Sequence, residues 1–383
     1  KRAHTEALGF DLNNDTERKA LIAKADIVIS MLPAALHITV AQDCLALKKN
    51  LVTPSYISDA MQAMAKDVED AGLIFMNEMG LDPGIDHMSA MQLLDELKAK
   101  GATITGFASH CGGLVAPESD DNPWHYKFTW NPRNVILAGQ GAGGIHYLHE
   151  GKKVELSYKE LFHNTSLMEV EGHGLFESYP NRDSLKYINA YGLDGVGTMY
   201  RGTLRVPPFC KGWDMLVQMG MTSEEETSTN DLLEHIITEL KHIATAGNTL
   251  KDDLLQSIGL VNALQSHRDE TIVPAKFLQN LLEVQWKMLP GDKDLVVMVH
   301  EIDYMLAGEK KQVQSSFVYI GKDAEHTAMA ITVGLPVGII TKMILNGEVQ
   351  RKGVLMPKYA EIYNPVLEEL KGYGIEFKEK MIQ

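Results

Sequence analysis

Gly80-Leu81-Asp82-Pro83-Gly84-Ile85-Asp86-His87 places two carboxylates and an imidazole within eight residues. Those are the side chains that move protons near neutral pH. The apolar run Leu73-Ile74-Phe75-Met76 leads into this stretch and reads as a buried parallel strand. Ligands of open α/β sheets bind outside the carboxyl ends of the strands, so chemistry is expected in this loop. Asp82 is the favoured group for orienting a substrate or moving its proton, because a following proline holds its backbone extended. Its alternative is a turn or helix N-terminal aspartate, a role that Asp86 fits better. His87 falls in the first turn of the next helix and reads as a hydrogen-bonded structural histidine, with a proton shuttle as the alternative.

Further along, Cys111 precedes Gly112-Gly113, which leaves sparse backbone around its thiol. Such a thiol can act as a nucleophile or an acid/base group, or it can be a buried structural cysteine. No metal-ligand spacing accompanies it, and no metal site is expected. Arg182, in Pro180-Asn181-Arg182-Asp183, and Arg205, in Arg201-Gly202-Thr203-Leu204-Arg205, suit carboxylate recognition. A guanidinium binds a carboxylate through two parallel hydrogen bonds. An internal ion pair, for instance Arg182 with Asp183, is the competing role, and Lys127 is a weaker candidate of the same kind. From Asn122 to Trp213 there are ten basic and eight acidic residues, against a net charge of −15 for the chain. That fits a local cationic pocket, or an ordinary charge fluctuation, within an acidic protein. The overall charge argues against nucleic acid as a partner.

The elements that must position these groups alternate along the N-terminal part. Asp26 to Met31, Leu51 to Thr53 and Leu73 to Met76 read as strands, with helices from Leu36 to Lys49 and Ile57 to Ala71. This βαβαβ run predicts a parallel sheet with right-handed crossovers. It resembles the second half of a Rossmann fold. No strand with a Gly-rich turn precedes Asp26, so the first half is expected to be missing, by truncation or in a genuinely shortened protein. Gly139-Gln140-Gly141-Ala142-Gly143-Gly144 matches G-x-G-x-x-G after a β-like run from Val135 to Ala138. The next segment, Ile145 to Glu150, is too short for a firm helix, so this reads as a turn rather than a phosphate loop.

A helix from Met88 to Lys100 opens a strand-rich region, with strands at Thr103 to Ser109, Lys153 to Leu156, Leu167 to Val170, His173 to Tyr179 and Gly197 to Arg205. Thr222 to Leu289 has helical spacing. Asp294 to Met305 and Gln312 to Gly321 read as paired strands, and helices from Ala324 to Leu345 and near Tyr359 to Lys371 close the chain. The expected fold is α/β: a Rossmann-like parallel sheet plus an α+β substrate domain with a mixed sheet and a helical subdomain. The expected divisions are residues 1–85 with 324–383, 86–221 with 290–323, and 222–289. A chain of 383 residues supports that many domains. Its composition, 45% hydrophobic and 23% charged, is that of a soluble globular protein. No membrane span or signal peptide is indicated. Cys44, Cys111 and Cys210 are too widely spaced for a disulfide framework, so a reducing cytoplasm is expected.

Several of these stretches together resemble one family. The octapeptide, with Asn77-Glu78 before it and Cys111-Gly112-Gly113-Leu114-Val115-Ala116-Pro117-Glu118 after it, resembles saccharopine dehydrogenase of the glutamate-forming type, or saccharopine reductase. Asn122-Pro123-Trp124-His125-Tyr126-Lys127-Phe128, Tyr179-Pro180-Asn181-Arg182-Asp183-Ser184 and Arg201 to Arg205 match as well. The resemblance runs from about Ala25 to the C-terminus and is densest between Asp26 and Met219. It implies NADP or NAD as cofactor and a homodimer. It implies interconversion of saccharopine with glutamate and 2-aminoadipate 6-semialdehyde through an imine. Substrate contacts are implied at Ser55, Tyr56, Asp82, Arg182, Thr203, Leu204 and Arg205, with Cys111 near the substrate. Cofactor contacts are implied at Leu32, Pro33, Pro54, Ser55, Leu81, Asp82 and Pro83. The terminal helices are expected to return to the cofactor domain. One alternative is a related imine-forming dehydrogenase for another amino-acid or polyamine conjugate. Another is a non-catalytic ligand-binding homologue, motivated by the absent glycine loop.

Overall fold

The computed structural model describes residues 4–141, 144–245 and 249–382. The chain divides into two compact units, Lys1–Gln92 with Thr332–Gly374, and Leu93–Ile331 with Ile375–Gln383.

The first unit is built on a four-stranded parallel sheet in the order Ile27–Ile29, Asn50–Val52, Ile74–Met76, Gly353–Leu355. Three strands come in sequence order, and the C-terminal segment supplies the fourth. The strands are short and apolar because parallel sheets are covered on both faces. Ile22, Val40, Cys44, Leu51, Met61, Val68 and Phe75 form the core beside them. The helix Asp15–Lys24 starts at Asn14, whose side chain accepts from the Glu17 amide. Arg18 on that helix reaches buried Asp43 at 2.6 Å and ties it to the helix His37–Ala46. Backbone bonds extend the ladder past the strand ends. Ser30 donates to the Val52 carbonyl at 2.9 Å, Thr53 to Met76 at 2.9 Å and Asn77 to Leu355 at 2.8 Å. The carboxyl edge of the sheet is therefore held in place by main-chain bonds.

The second unit carries a mixed sheet. Its strands run in the order Lys378–Ile382, Glu309–Ile320, Asp294–Leu306, Thr103–Val115, Thr198–Arg205, Ile145–His149, Lys152–Leu156. Gly174–Pro180 pairs both with Thr198–Arg205 and with Ser166–Val170. All these pairings are antiparallel except that of Thr103–Val115 with Thr198–Arg205. An aromatic cluster of Trp124, Tyr126, Phe209, Trp213 and Trp286 forms much of the core. The helices Thr229–Thr245, Thr249–Ser257, Leu260–Ser266 and Pro274–Gln285 belong to this unit. A small strand pair, Thr227–Ser228 with Thr271–Ile272, clips that helical segment together. Asp294 caps the helix Ala328–Leu345, its Oδ1 accepting from the Ala328 amide at 2.6 Å and its Oδ2 from Met329 at 2.9 Å. That helix is long and apolar enough to cross a membrane by length and composition, yet 44% of it is buried within the protein. A core helix has the same character.

Two local readings change. The strand expected to end at Ser109 continues to Val115, so Cys111 and Gly112-Gly113 sit within it. A Cβ on Gly112 would lie 2.9 Å from the Leu204 carbonyl oxygen, and one on Gly113 would lie 2.5 Å from Met329 Cε. These glycines serve close approach rather than chain reversal. Of the β-like run from Val135 to Ala138, the first two residues lie in the helix Pro132–Ile136 and the last two in the turn after it. Asn131 caps that helix and Pro132 opens it, which overrides the β propensity of Val135 and Ile136. Of the G-x-G-x-x-G stretch, Ala142 and Gly143 lie outside the described residues. The strand Ile145–His149, not a helix, comes after it.

Candidate active site

In the first unit the octapeptide folds back on itself. The Gly80 amide donates to the Pro83 carbonyl at 2.9 Å, Ile85 to Gly80 at 2.9 Å and Asp86 to Leu81 at 3.1 Å. The Asp82–Pro83 peptide bond is cis. Gly84 has φ +148°, and a Cβ there would sit 2.1 Å from the Gly80 carbonyl oxygen. No side-chain motion relieves a clash with backbone. Gly84→Ala is expected to destabilise the protein by about 2–4 kcal/mol, measured by chemical unfolding. Wild-type stability in that variant would refute the tight-loop geometry.

The loop presents one side chain. From Leu73 to Met91 every residue is buried except Asp82, which is half-buried. Tyr56 Oη donates to Asp82 Oδ1 at 2.9 Å. The loop carrying Tyr56 is fastened to the octapeptide by Glu78, whose Oε1 accepts from the Ile57 amide at 2.9 Å and whose Oε2 lies 2.7 Å from His87 Nε2. Glu78 itself adopts φ +54° and donates its amide to the Ser55 carbonyl at 3.0 Å. His87 is fully buried on Glu78, which is the structural role. Asp86 accepts from the Gly84 amide at 2.5 Å, the turn role expected of it. Glu78 was missed by sequence reasoning. An acid following a buried strand was the available signal, but its left-handed backbone was not foreseeable.

The neighbouring strand ends carry the other first-unit candidates. Pro54 and Ser55 are both half-buried at the strand end, and Pro54 Cβ would lie 2.9 Å from a Cβ on Gly80. Leu81 and Pro83 are buried within the loop. Leu32 packs half-buried on the core and Pro33 is exposed. Ile29, Met31 and Leu36 are exposed large apolar side chains in the same segment. Apolar surface for a planar ring and half-buried Ser55 lie together at this edge, a lining that suits a dinucleotide.

In the second unit Cys111, Thr203 and Tyr179 stand in one row across three strands. Arg205 comes two residues after Thr203 and so shares its face. Arg205 is only 2% exposed. Its guanidinium carbon lies 5.0, 5.6 and 5.1 Å from the ring centres of Tyr126, Tyr179 and Phe209. Nη1 donates to the Leu204 carbonyl at 2.8 Å, and Nε has no hydrogen-bond partner. Among the described residues no carboxylate lies within ion-pair distance of it. Both tyrosines stay neutral, because burial pushes the Tyr179 phenol up to about 12 and raises that of Tyr126. A buried, permanently charged guanidinium without an anion beside it carries an uncompensated desolvation cost.

Arg182 is exposed, with φ +50°, in the turn after Gly174–Pro180. Thr203 is half-buried. The Leu204 side chain is fully buried in the core, and its backbone pairs with Ser178 and carries the carbonyl that Arg205 reaches. Cys111 is buried. Lys127 is buried between Asp121 and Asp292, at 2.7 and 2.8 Å, which makes it an internal ion pair rather than a ligand group. The opposite face of the row holds His110, whose Nδ1 lies 2.8 Å from Ser178 Oγ. A Cβ on Gly202 would lie 2.3 Å from that oxygen, which accounts for the glycine in the Arg201 to Arg205 motif.

A parallel-sheet unit with this polar edge and a mixed-sheet unit carrying a buried arginine belong to the α/β oxidoreductases that use a nicotinamide dinucleotide. Residues 1–76 match the model of the saccharopine dehydrogenase NADP binding domain, and residues 80–375 match that of the saccharopine dehydrogenase C-terminal domain. The chain belongs to the saccharopine dehydrogenase family. Saccharopine dehydrogenase [NADP(+), L-glutamate-forming] from Pyricularia oryzae is 34% identical, with 99% of this chain and 89% of that protein aligned. The bovine mitochondrial alpha-aminoadipic semialdehyde synthase is 37% identical over 94% of this chain, which spans only 41% of that relative's length. The solved apo saccharopine dehydrogenase (L-Glu forming) of Saccharomyces cerevisiae superposes with a TM-score of 0.86 at 32% identity, covering 99% of this chain and 90% of that one. A homospermidine synthase from Legionella pneumophila, solved with NAD, has a TM-score of 0.53 at 10% identity, a likeness of fold alone.

Proposed function

We propose that the chain is an NADP-linked saccharopine dehydrogenase of lysine metabolism. It oxidises saccharopine with water to glutamate and 2-aminoadipate 6-semialdehyde, or runs the reductive condensation in reverse. The single observation that carries this reading is Arg205, buried among aromatic rings with no carboxylate beside it among the described residues. Saccharopine is a secondary amine bearing several carboxylates, and such a ligand supplies the missing anion.

NADP, when bound, supplies the hydride acceptor, and Leu32, Pro33, Pro54, Ser55, Leu81, Asp82 and Pro83 are the residues proposed to hold it. Arg205 and Arg182 orient substrate carboxylates, with Thr203 and the Leu204 backbone beside them. Asp82 is proposed to take the proton from the substrate ammonium, so that the nitrogen lone pair assists departure of hydride from the adjacent carbon. Asp82 passes that proton to solvent, and as a carboxylate again it takes one from the water that adds to the resulting imine. The carbinolamine then loses glutamate as Asp82 returns a proton to nitrogen. Tyr56 holds the Asp82 carboxylate through its hydroxyl. Cys111 is proposed as a polar contact in the Thr203 row, with no covalent step.

A cytoplasmic homodimer belongs to the same proposal. Three buried thiols, none in a disulfide, support a reducing compartment, and light scattering tests the dimer. The reaction itself is tested by initial rates with NADP+ and a panel of saccharopine, another amino-acid conjugate and a polyamine conjugate. Saccharopine should be the strongly preferred substrate. Preference for a different conjugate would replace it with a related imine-forming dehydrogenase.

A further inference from the structure

We propose that His37 is a positioning residue for the dinucleotide: it fixes the Ser55 hydroxyl in the orientation that the cofactor meets. The inference deepens the cofactor part of the reading above and rests on it. His37 opens the helix His37–Ala46, and the residue is 5% exposed. Nδ1 lies 2.8 Å from Ser30 Oγ, just after the first strand of the parallel sheet. Nε2 lies 2.7 Å from Ser55 Oγ, just after the second. Thr53 Oγ1 adds a longer contact of 3.4 Å to Nδ1 and accepts from the Ser55 amide at 3.2 Å. One imidazole thus spans the carboxyl edge from strand end to strand end.

Burial lowers the basicity of this histidine, so its neutral form has one N–H and one lone pair to share between the two hydroxyls. Whichever nitrogen carries the proton, the Ser55 hydroxyl is held on one side. It still has hydrogen-bonding capacity on the other, because a hydroxyl donates once and accepts twice. The two ends of the bridge differ in burial. Ser30 is 3% exposed, whereas Ser55 remains half-buried at the edge where a ligand arrives. A bridge that served packing alone would enclose both hydroxyls. Ser30, His37, Thr53 and Ser55 all fall within the segment that matches the NADP-binding model.

The test is titration of the intact protein with NADPH, read by nicotinamide fluorescence without turnover. His37→Ala and Ser55→Ala should each weaken NADPH binding about tenfold, which is the worth of one well-placed hydrogen bond. The double variant should be no weaker than about twofold below the worse single, because the two side chains act as one piece. In His37→Ala the KM for saccharopine at saturating NADP+ should stay within about twofold, since the imidazole serves the cofactor side of the site. His37→Gln, whose amide reaches toward Ser55, should recover part of the binding. Should His37→Ala fail to fold, Ser30→Ala tests the far end of the bridge and should weaken NADPH binding by about threefold. Wild-type NADPH affinity in folded His37→Ala overturns the proposal. So do multiplicative losses in the double variant, or a change confined to the saccharopine KM. Wild-type protein that binds NADPH but leaves saccharopine untouched overturns the substrate assignment instead, while the His37 effect on NADPH still stands.

Discussion

Arg205→Met should remove most of the activity toward saccharopine and leave the ligand-free protein at least as stable as before. The guanidinium is almost completely buried and has no anion within ion-pair distance among the described residues. Desolvating such a charge costs several kcal/mol. Three aromatic rings at 5.0 to 5.6 Å and one bond to a carbonyl offset part of that cost, the ring contacts contributing about 2 kcal/mol in a desolvated setting. Methionine fills a similar space without the charge. The melting temperature of the apo variant is therefore expected to hold or rise. A substrate carboxylate that loses a buried partner forfeits about 2–5 kcal/mol, a drop in kcat/KM of about thirtyfold to several thousandfold. Calorimetry and steady-state kinetics on one preparation settle the matter. Lowered stability with an unchanged saccharopine KM would make Arg205 a structural cation and take away the chief support for a polycarboxylate substrate.

The second large effect is expected at Asp82. Asp82→Asn keeps the shape and can still accept from Tyr56, but it cannot hold a proton in transit. General acid–base groups contribute about 10²–10⁴-fold, so kcat at saturating NADP+ and saccharopine should fall by that order. Tyr56→Phe removes the hydroxyl that orients the carboxylate and should cost about tenfold. A kcat for Asp82→Asn near that of the wild type would transfer proton handling to another group and reduce Asp82 to a loop residue.

Much of this was legible in the residues because it is local. Leu73 to Met76 declared a buried strand, and the glycines, the proline and the acids after it declared a tight loop at a ligand-facing edge. Asp86 could be assigned to the turn because capping depends on spacing alone. The fourth parallel strand, Gly353–Leu355, was not foreseen, because pairing with Ile74–Met76 across most of the chain leaves no local trace. The same holds for Glu78 gripping the Ile57 amide and His87, for His37 between two serines, and for the rings around Arg205. Each depends on contacts between residues that are not neighbours in sequence. Where local signals competed, the stronger chemistry prevailed. Val135 and Ile136 favour a strand, but Asn131-Pro132 supplies a capped helix start and the chain turns helical. The strand from Thr103 is expected to stop at Ser109, yet the long pairing with Asp294–Leu306 carries it on through Gly112-Gly113.

Product balance distinguishes oxidative cleavage of saccharopine from oxidation alone. The protein would be given saccharopine and NADP+, with reduced nicotinamide followed by absorbance and free glutamate assayed in the same samples. The account predicts one glutamate released for each NADPH formed, with the semialdehyde trapped in equal amount. NADPH formed without glutamate would contradict cleavage of the carbon–nitrogen bond. No reaction from folded protein that binds NADPH would contradict saccharopine as the substrate.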